Sequence, residues 1–158
     1  MKIFNKTILL SAAIGVLSSA CNIDDYHGGG GSDTLTFKKV GGFVNGTGDE
    51  GFAEISAFDP HTNKLFVVNP KESELSVWDI SNPNSSTQGA NISLTGTPNS
   101  VAVANGLVAV ALENSNNKQA NGTIAVYNSD SQALLHTYPA GALPDMVTFS
   151  PDGSYIVV

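Results

Sequence analysis

Three segments of the chain carry one pattern. Ile55-Ser56-Ala57-Phe58-Asp59-Pro60 runs into Leu65-Phe66-Val67-Val68, and Val101-Ala102-Val103-Ala104 runs into Leu107-Val108-Ala109-Val110. The third, Val147-Thr148-Phe149-Ser150-Pro151-Asp152-Gly153, runs into Tyr155-Ile156-Val157-Val158. With Phe58, Val103 and Phe149 as equivalents, the repeats stand 45 and 46 positions apart. A period of that size, built from short strands and turns, is the signature of a β-propeller blade. The expectation is an all-β propeller of four-stranded blades.

Within each unit, β-branched or alternating runs are broken by Gly, Pro, Asn, Asp and Ser. The first unit, about 52–96, predicts strands near Ile55–Phe58, Lys64–Val68, Glu74–Asp79 and Asn91–Leu94. The second, about 97–141, predicts Ser100–Ala104, Leu107–Ala111, Thr123–Tyr127 and Ala133–Tyr138. The third, 142–158, predicts Met146–Phe149 and Ser154–Val158. Asn105-Gly106 and Pro151-Asp152-Gly153 are hairpin signals at corresponding places. Leu35–Val40 reads as an outer strand for the last blade of a closed ring. Trp78, at the end of a third strand, reads as packing between blades. Residues 34–158 supply under three blades of that period, whereas closed rings carry about four to eight. The expectation is therefore an N-terminal part of a longer propeller.

The first residues are of another kind. Met1–Lys6 holds two lysines, and Thr7–Leu17 is an apolar run too short to cross a bilayer core, as in an export signal over residues 1–20. Leu17-Ser18-Ser19-Ala20-Cys21 resembles a bacterial lipobox, with Ser18 where an aliphatic residue is usual. Ser18-x-Ala20 also suits ordinary signal cleavage. Cys21 is the single cysteine, so it has no disulfide partner within the chain, and lipidation accounts for it. Residues 21–33 then form a Gly-rich tether spacing the domain from a membrane. Asp directly after the cysteine would resemble an inner-membrane retention signal; Asn22 stands there instead, which favours the outer membrane, with a periplasmic or secreted protein as the alternative.

Beyond Cys21 the chain keeps five lysines against fourteen carboxylates and has no arginine at all. Such a balance argues against nucleic acid and against phosphate recognition by guanidinium forks.

Glu54-Ile55-Ser56-Ala57-Phe58-Asp59-Pro60, Leu65–Asn69, Pro98–Val103 and Ala142-Leu143-Pro144-Asp145-Met146-Val147-Thr148-Phe149-Ser150-Pro151-Asp152-Gly153 resemble the opening blades of choice-of-anchor I proteins. The resemblance covers about residues 35–158. It implies a bacterial exported seven-bladed propeller with varied anchors, sometimes labelled alkaline-phosphatase-like or phytase-like. An acidic Asn-Glu-Gly-Glu-Pro stretch of that family would follow Val158.

Four residues before each anchor stand Glu54, Asn99 and Asp145, and just past the second strands stand Asn69 and Glu113. The propeller register gathers these five oxygen-bearing side chains around one mouth of the central channel. Such a set could take a hard cation, Ca²⁺ foremost, or a polar ligand. It could equally cap strand ends. Gly46-x-Gly48-x-x-Gly51 matches a dinucleotide fingerprint only in letters, since a strand follows and Asp49-Glu50 would repel phosphate. No His pair has metal-ligand spacing, and no Ser/His/Asp set has a catalytic pattern. Two functions follow: a non-catalytic binding or scaffold module for an unidentified protein or small molecule, and an extracytoplasmic Ca²⁺-dependent phosphoesterase.

Overall fold

The computed structural model describes residues 37–45 and 51–158. The expected export signal, Cys21, the expected tether and Gly46–Glu50 lie outside these residues. Eleven strands and one short 3-10 turn make up the described part. The first sheet holds β1 (Ser56–Asp59), β2 (Lys64–Asn69) and β3 (Glu74–Asp79), joined antiparallel in that order. Its outer position is shared by β4 (Thr87–Gln88) and β5 (Ile92–Ser93), which both pair with β3. Trp78 faces Gln88 while Leu75 faces Ile92, a slip of one residue that divides the outer strand in two.

The second sheet is an uninterrupted four-stranded meander. It contains β6 (Thr97–Ala104), β7 (Leu107–Glu113), β8 (Asn121–Asn128) and β9 (Leu134–Ala142). β10 (Thr148–Phe149) and β11 (Ile156–Val157) open a third sheet. The inner strand β6 lies beside β1 on one side and β10 on the other. This is a β-propeller of four-stranded blades, with its inner strands side by side.

Alternation along each strand decides what every blade buries. On β2, Phe66 and Val68 point to the second blade and meet Val101, Val108, Val110 and Leu112 there. Leu75 and Val77 of β3 join the same cluster. On β7 the intervening Ala109 and Ala111 face the other way and pack with Val147, Phe149 and Ile156 of the third blade. Leu65 and Val67 line the far face of the first blade with Phe58. Phe58, Val103 and Phe149 therefore all lie on the side of their blade turned from the next one. The repeat seen in the sequence is a repeat in space.

Two expectations change. Phe37–Val40 forms no strand, because no strand edge among the described residues is placed to pair with it, and Phe37 is exposed. The chain there is held by side chains instead. Phe43 stacks on Trp78 with ring centroids 3.9 Å apart and 17° between planes. Trp78 Nε1 donates to Asn45 Oδ1 at 3.1 Å, and Asn45 Nδ2 donates to the Phe52 carbonyl. Trp78 thus packs under the 37–45 segment, on the face away from the second blade, and not between the first and second blades.

Ser76 lies on that same far face of β3, fully buried, and its hydroxyl has no hydrogen-bond partner among the described residues. An unmet buried hydroxyl costs about 1–3 kcal/mol. Ser76→Ala removes it with almost no change in volume. The expected result is a gain of about 1 kcal/mol in urea denaturation followed by Trp78 fluorescence. A loss of stability would show that the hydroxyl is satisfied.

The blades are also latched at the end opposite the starts of the inner strands β1, β6 and β10. Lys64 Nζ reaches the Ser129 carbonyl at 3.4 Å and the Asp130 carbonyl at 2.5 Å, both on the β8–β9 turn. It also pairs with the Asp130 carboxylate at 3.3 Å. Asn105 Nδ2 donates to the Asp152 carbonyl at 3.0 Å, joining second blade to third. Asn105 and Gly106, at φ 50° and 78°, form the two-residue loop that a type I′ hairpin requires.

Asp59 belongs to this end and is buried. Burial pushes its carboxyl up, but a side-chain hydrogen bond from Ser129, the His61 amide, the Thr62 hydroxyl and the His61 charge together leave it below the ordinary value. The His61 amide and Thr62 Oγ1 both donate at 2.9 Å. Asp152, fully exposed, is drawn down to about 2 by donors from the Ser150 and Ser154 side chains and the Ser154 amide. A carboxylate with a lowered folded pKa stabilises above its unfolded value and loses that contribution as pH falls through the folded one. The denaturation midpoint should therefore fall below about pH 4. Asp59→Asn should flatten that slope. An unchanged slope in the variant would remove Asp59 from the account.

Candidate functional site

The starts of the inner strands and the β2–β3 and β7–β8 loops share one end of the blades, the expected mouth. Glu54 precedes β1 there, exposed, with its amide donating to the Val68 carbonyl at 3.3 Å. Its side chain has no hydrogen-bond or ion-pair partner among the described residues. Asp145 precedes β10, is likewise exposed, and its carboxylate is also unpartnered among them. Asn69 is buried at the end of β2, and its Oδ1 accepts the Glu72 amide at 3.1 Å. It caps the tight turn to β3, an Asx arrangement that satisfies a turn amide.

Asn99 and Glu113 come together. Asn99 falls at a β-bulge, where the β6–β7 register slips between Pro98 and Ser100. A bulge re-aims its side chain out of the regular alternation. Nδ2 of Asn99 donates to Glu113 Oε2 at 3.3 Å and to the Pro144 carbonyl at 3.1 Å. Next to it, Ser100 Oγ accepts the Val147 amide at 3.2 Å. Glu113 alternates with Leu112, so it projects on the Ala109–Ala111 side, toward the third blade. Its side chain is 7% exposed, and its second oxygen pairs with Lys118 Nζ at 3.1 Å.

Glu113 and Asn69 are thus offset by one position. Asn69 stands opposite Glu74 and matches Leu112, which stands opposite Thr123. Counted from the inter-blade faces, Glu113 lies one step further out, in a longer and asparagine-rich loop. Asn114 Oδ1 accepts the amides of Asn116 and Asn117, and Thr97 Oγ1 lies 3.1 Å from Ser115 Oγ.

Sequence spacing alone did not single out Lys118 or the Pro144 carbonyl. The first could have been noticed as a lone lysine five positions beyond Glu113. The second has no side-chain signal, because a carbonyl is available from any residue. Among the described residues no three His, Cys, Asp or Glu side chains group closely enough to hold a metal ion. What the centre offers is a buried carboxylate, an amide and a carbonyl oxygen at the joint between two blades. That chemistry suits cations and hydrogen-bond donors.

The sequence profile of the choice-of-anchor I domain matches residues 54–158. The chain belongs to the choice-of-anchor I family. Such a domain implies an exported or surface-anchored protein. No curated protein matches the sequence. Among solved structures, Kuenenia stuttgartiensis hydrazine synthase is similar at a TM-score of 0.56 and 24% identity, over 66% of this chain and 29% of that one. A functionally unknown protein from Desulfotomaculum acetoxidans gives a TM-score of 0.49 at 18% identity, over 77% of this chain and 35% of that one. This choice-of-anchor I chain spans about a third of the length of these structures. At such identity the first likeness bears on the fold alone. No helix among the described residues is long and apolar enough to cross a membrane.

Proposed function

We propose that this choice-of-anchor I protein is a non-catalytic binding or scaffold module, held at the bacterial outer membrane through a lipidated Cys21. The observation that carries the binding role is the Asn99–Glu113–Pro144 centre at the mouth, where a buried carboxylate meets the joint of two blades. Glu54 and Asp145 stand at the equivalent starts of the neighbouring inner strands and present free carboxylates to the same end. Single-sign charge at a concave mouth draws oppositely charged ligands. The anchor reading rests on the lone cysteine behind a short apolar run and before a Gly-rich tether. Diacylation contributes about 0.8 kcal/mol per buried CH₂, enough for durable attachment with two or more chains.

Two measurements test the proposal. Cys21→Ser should move the full-length protein from the membrane fraction to the soluble one and abolish incorporation of labelled palmitate. Retention in the membrane would overturn the lipid anchor. Phosphatase and phytase assays on the intact protein should show no turnover with or without a chelator. Chelator-sensitive turnover lost in Asp145→Ala, together with heat on Ca²⁺ titration, would replace the module by a Ca²⁺-dependent phosphoesterase.

A further inference from the structure

The Glu113 ion pair is lopsided. The carboxylate is nearly buried, held at the end of β7 with one oxygen fixed by Asn99, whereas the Lys118 side chain is 69% exposed on a polar loop. A buried carboxylate requires a compensating partner. Here that partner arrives on a flexible four-carbon stem from the solvent side, and its ammonium has no other hydrogen bond among the described residues. An ammonium is a compact point charge with three donors, readily exchanged for another of the same kind. The immobile half of the pair belongs to the blades and the mobile half to the loop.

We infer that Lys118 is a tethered placeholder: it occupies a seat at Glu113 that takes the primary ammonium group of a ligand, and a ligand must displace it to bind. This rests on the mouth being a binding centre, as proposed above. Glu54 and Asp145, both exposed and without a side-chain partner among the described residues, extend the preference to a ligand with more than one positive charge. The scarcity of basic groups in the chain, seven lysines and no arginine, leaves few internal competitors. A self-occupied seat lowers apparent affinity by the fraction of time that it is open.

The test is calorimetric titration of the full-length protein with a short linear diamine, and with tetramethylammonium as a cation lacking N–H donors. Lys118→Met removes the ammonium and keeps the stem. It should bind the diamine about tenfold more tightly than wild type, the gain expected for a seat open about a tenth of the time. Glu113→Gln should abolish that heat, and tetramethylammonium should give none in any variant. Trp78 fluorescence and urea midpoints confirm that each variant is folded. Equal affinity of wild type and Lys118→Met would overturn the placeholder while leaving mouth binding intact. No diamine heat in either protein would overturn the ammonium seat itself, whereas the fractionation and turnover assays above decide the module reading separately.

Discussion

Phe66→Ala is expected to destabilise the protein by about 3–5 kcal/mol, the usual cost of deleting a fully buried phenylalanine. Phe66 is completely inaccessible and is the largest fully buried side chain among the described residues. It stands at the centre of the cluster that joins the first blade to the second, with Leu75 and Val77 on its own sheet and Val101, Val108 and Val110 opposite. Alanine leaves a cavity that two hydrogen-bonded sheets have little freedom to close. As a control, Tyr155→Ala removes a side chain that is mostly exposed and should stay within about 0.5 kcal/mol. Urea midpoints of the three proteins decide the matter. A loss below about 1 kcal/mol at Phe66 would mean that the inter-blade cluster does not control stability.

Gly122→Ala should be at least as damaging, above about 3 kcal/mol, through steric conflict and not through a cavity. Gly122 lies at the slip in the β8–β9 register, between Asn121 and Thr123. A Cβ there would fall on the Leu112 carbonyl oxygen and 2.6 Å from Pro144 Cδ. Neither neighbour can yield cheaply. The first belongs to the β7 backbone, and the second carries the carbonyl that Asn99 binds. The substitution should therefore also disturb the mouth, lowering both the urea midpoint and the affinity for the diamine. A folded variant of wild-type stability would show that the β8 edge can shift away from Pro144.

The architecture was legible in the sequence because blade packing depends on side-chain alternation, and alternation is written in residue order. Phe58, Val103 and Phe149 fell on equivalent faces for that reason. The strands from Lys64 to Asn69 and from Glu74 to Asp79 were read nearly as they stand. The sequence is less legible where tertiary context decides. Phe37–Val40 has the composition of a strand, but the last blade that it was expected to join is not among the described residues. Trp78 was read as packing between blades, and its stacking partner Phe43 went unseen because it lies in an irregular segment with no periodicity to read. At the expected mouth, the spacing pointed to Asn99 and Glu113 at one end of the blades. It could not show their meeting, which depends on a bulge, nor the role of Pro144, which acts through its backbone.

Three of the links between blades run from a side chain on one partner to a carbonyl oxygen on the other. Lys64 grips the backbone at Ser129 and Asp130, Asn105 that at Asp152, and Asn99 that at Pro144. A carbonyl has the same chemistry whatever residue bears it. The information specifying these three links is therefore stored on the donor repeat, whereas the Asp130 carboxylate and the apolar clusters draw on both. At those three carbonyls duplicated blades can drift apart in sequence without losing their grip on one another.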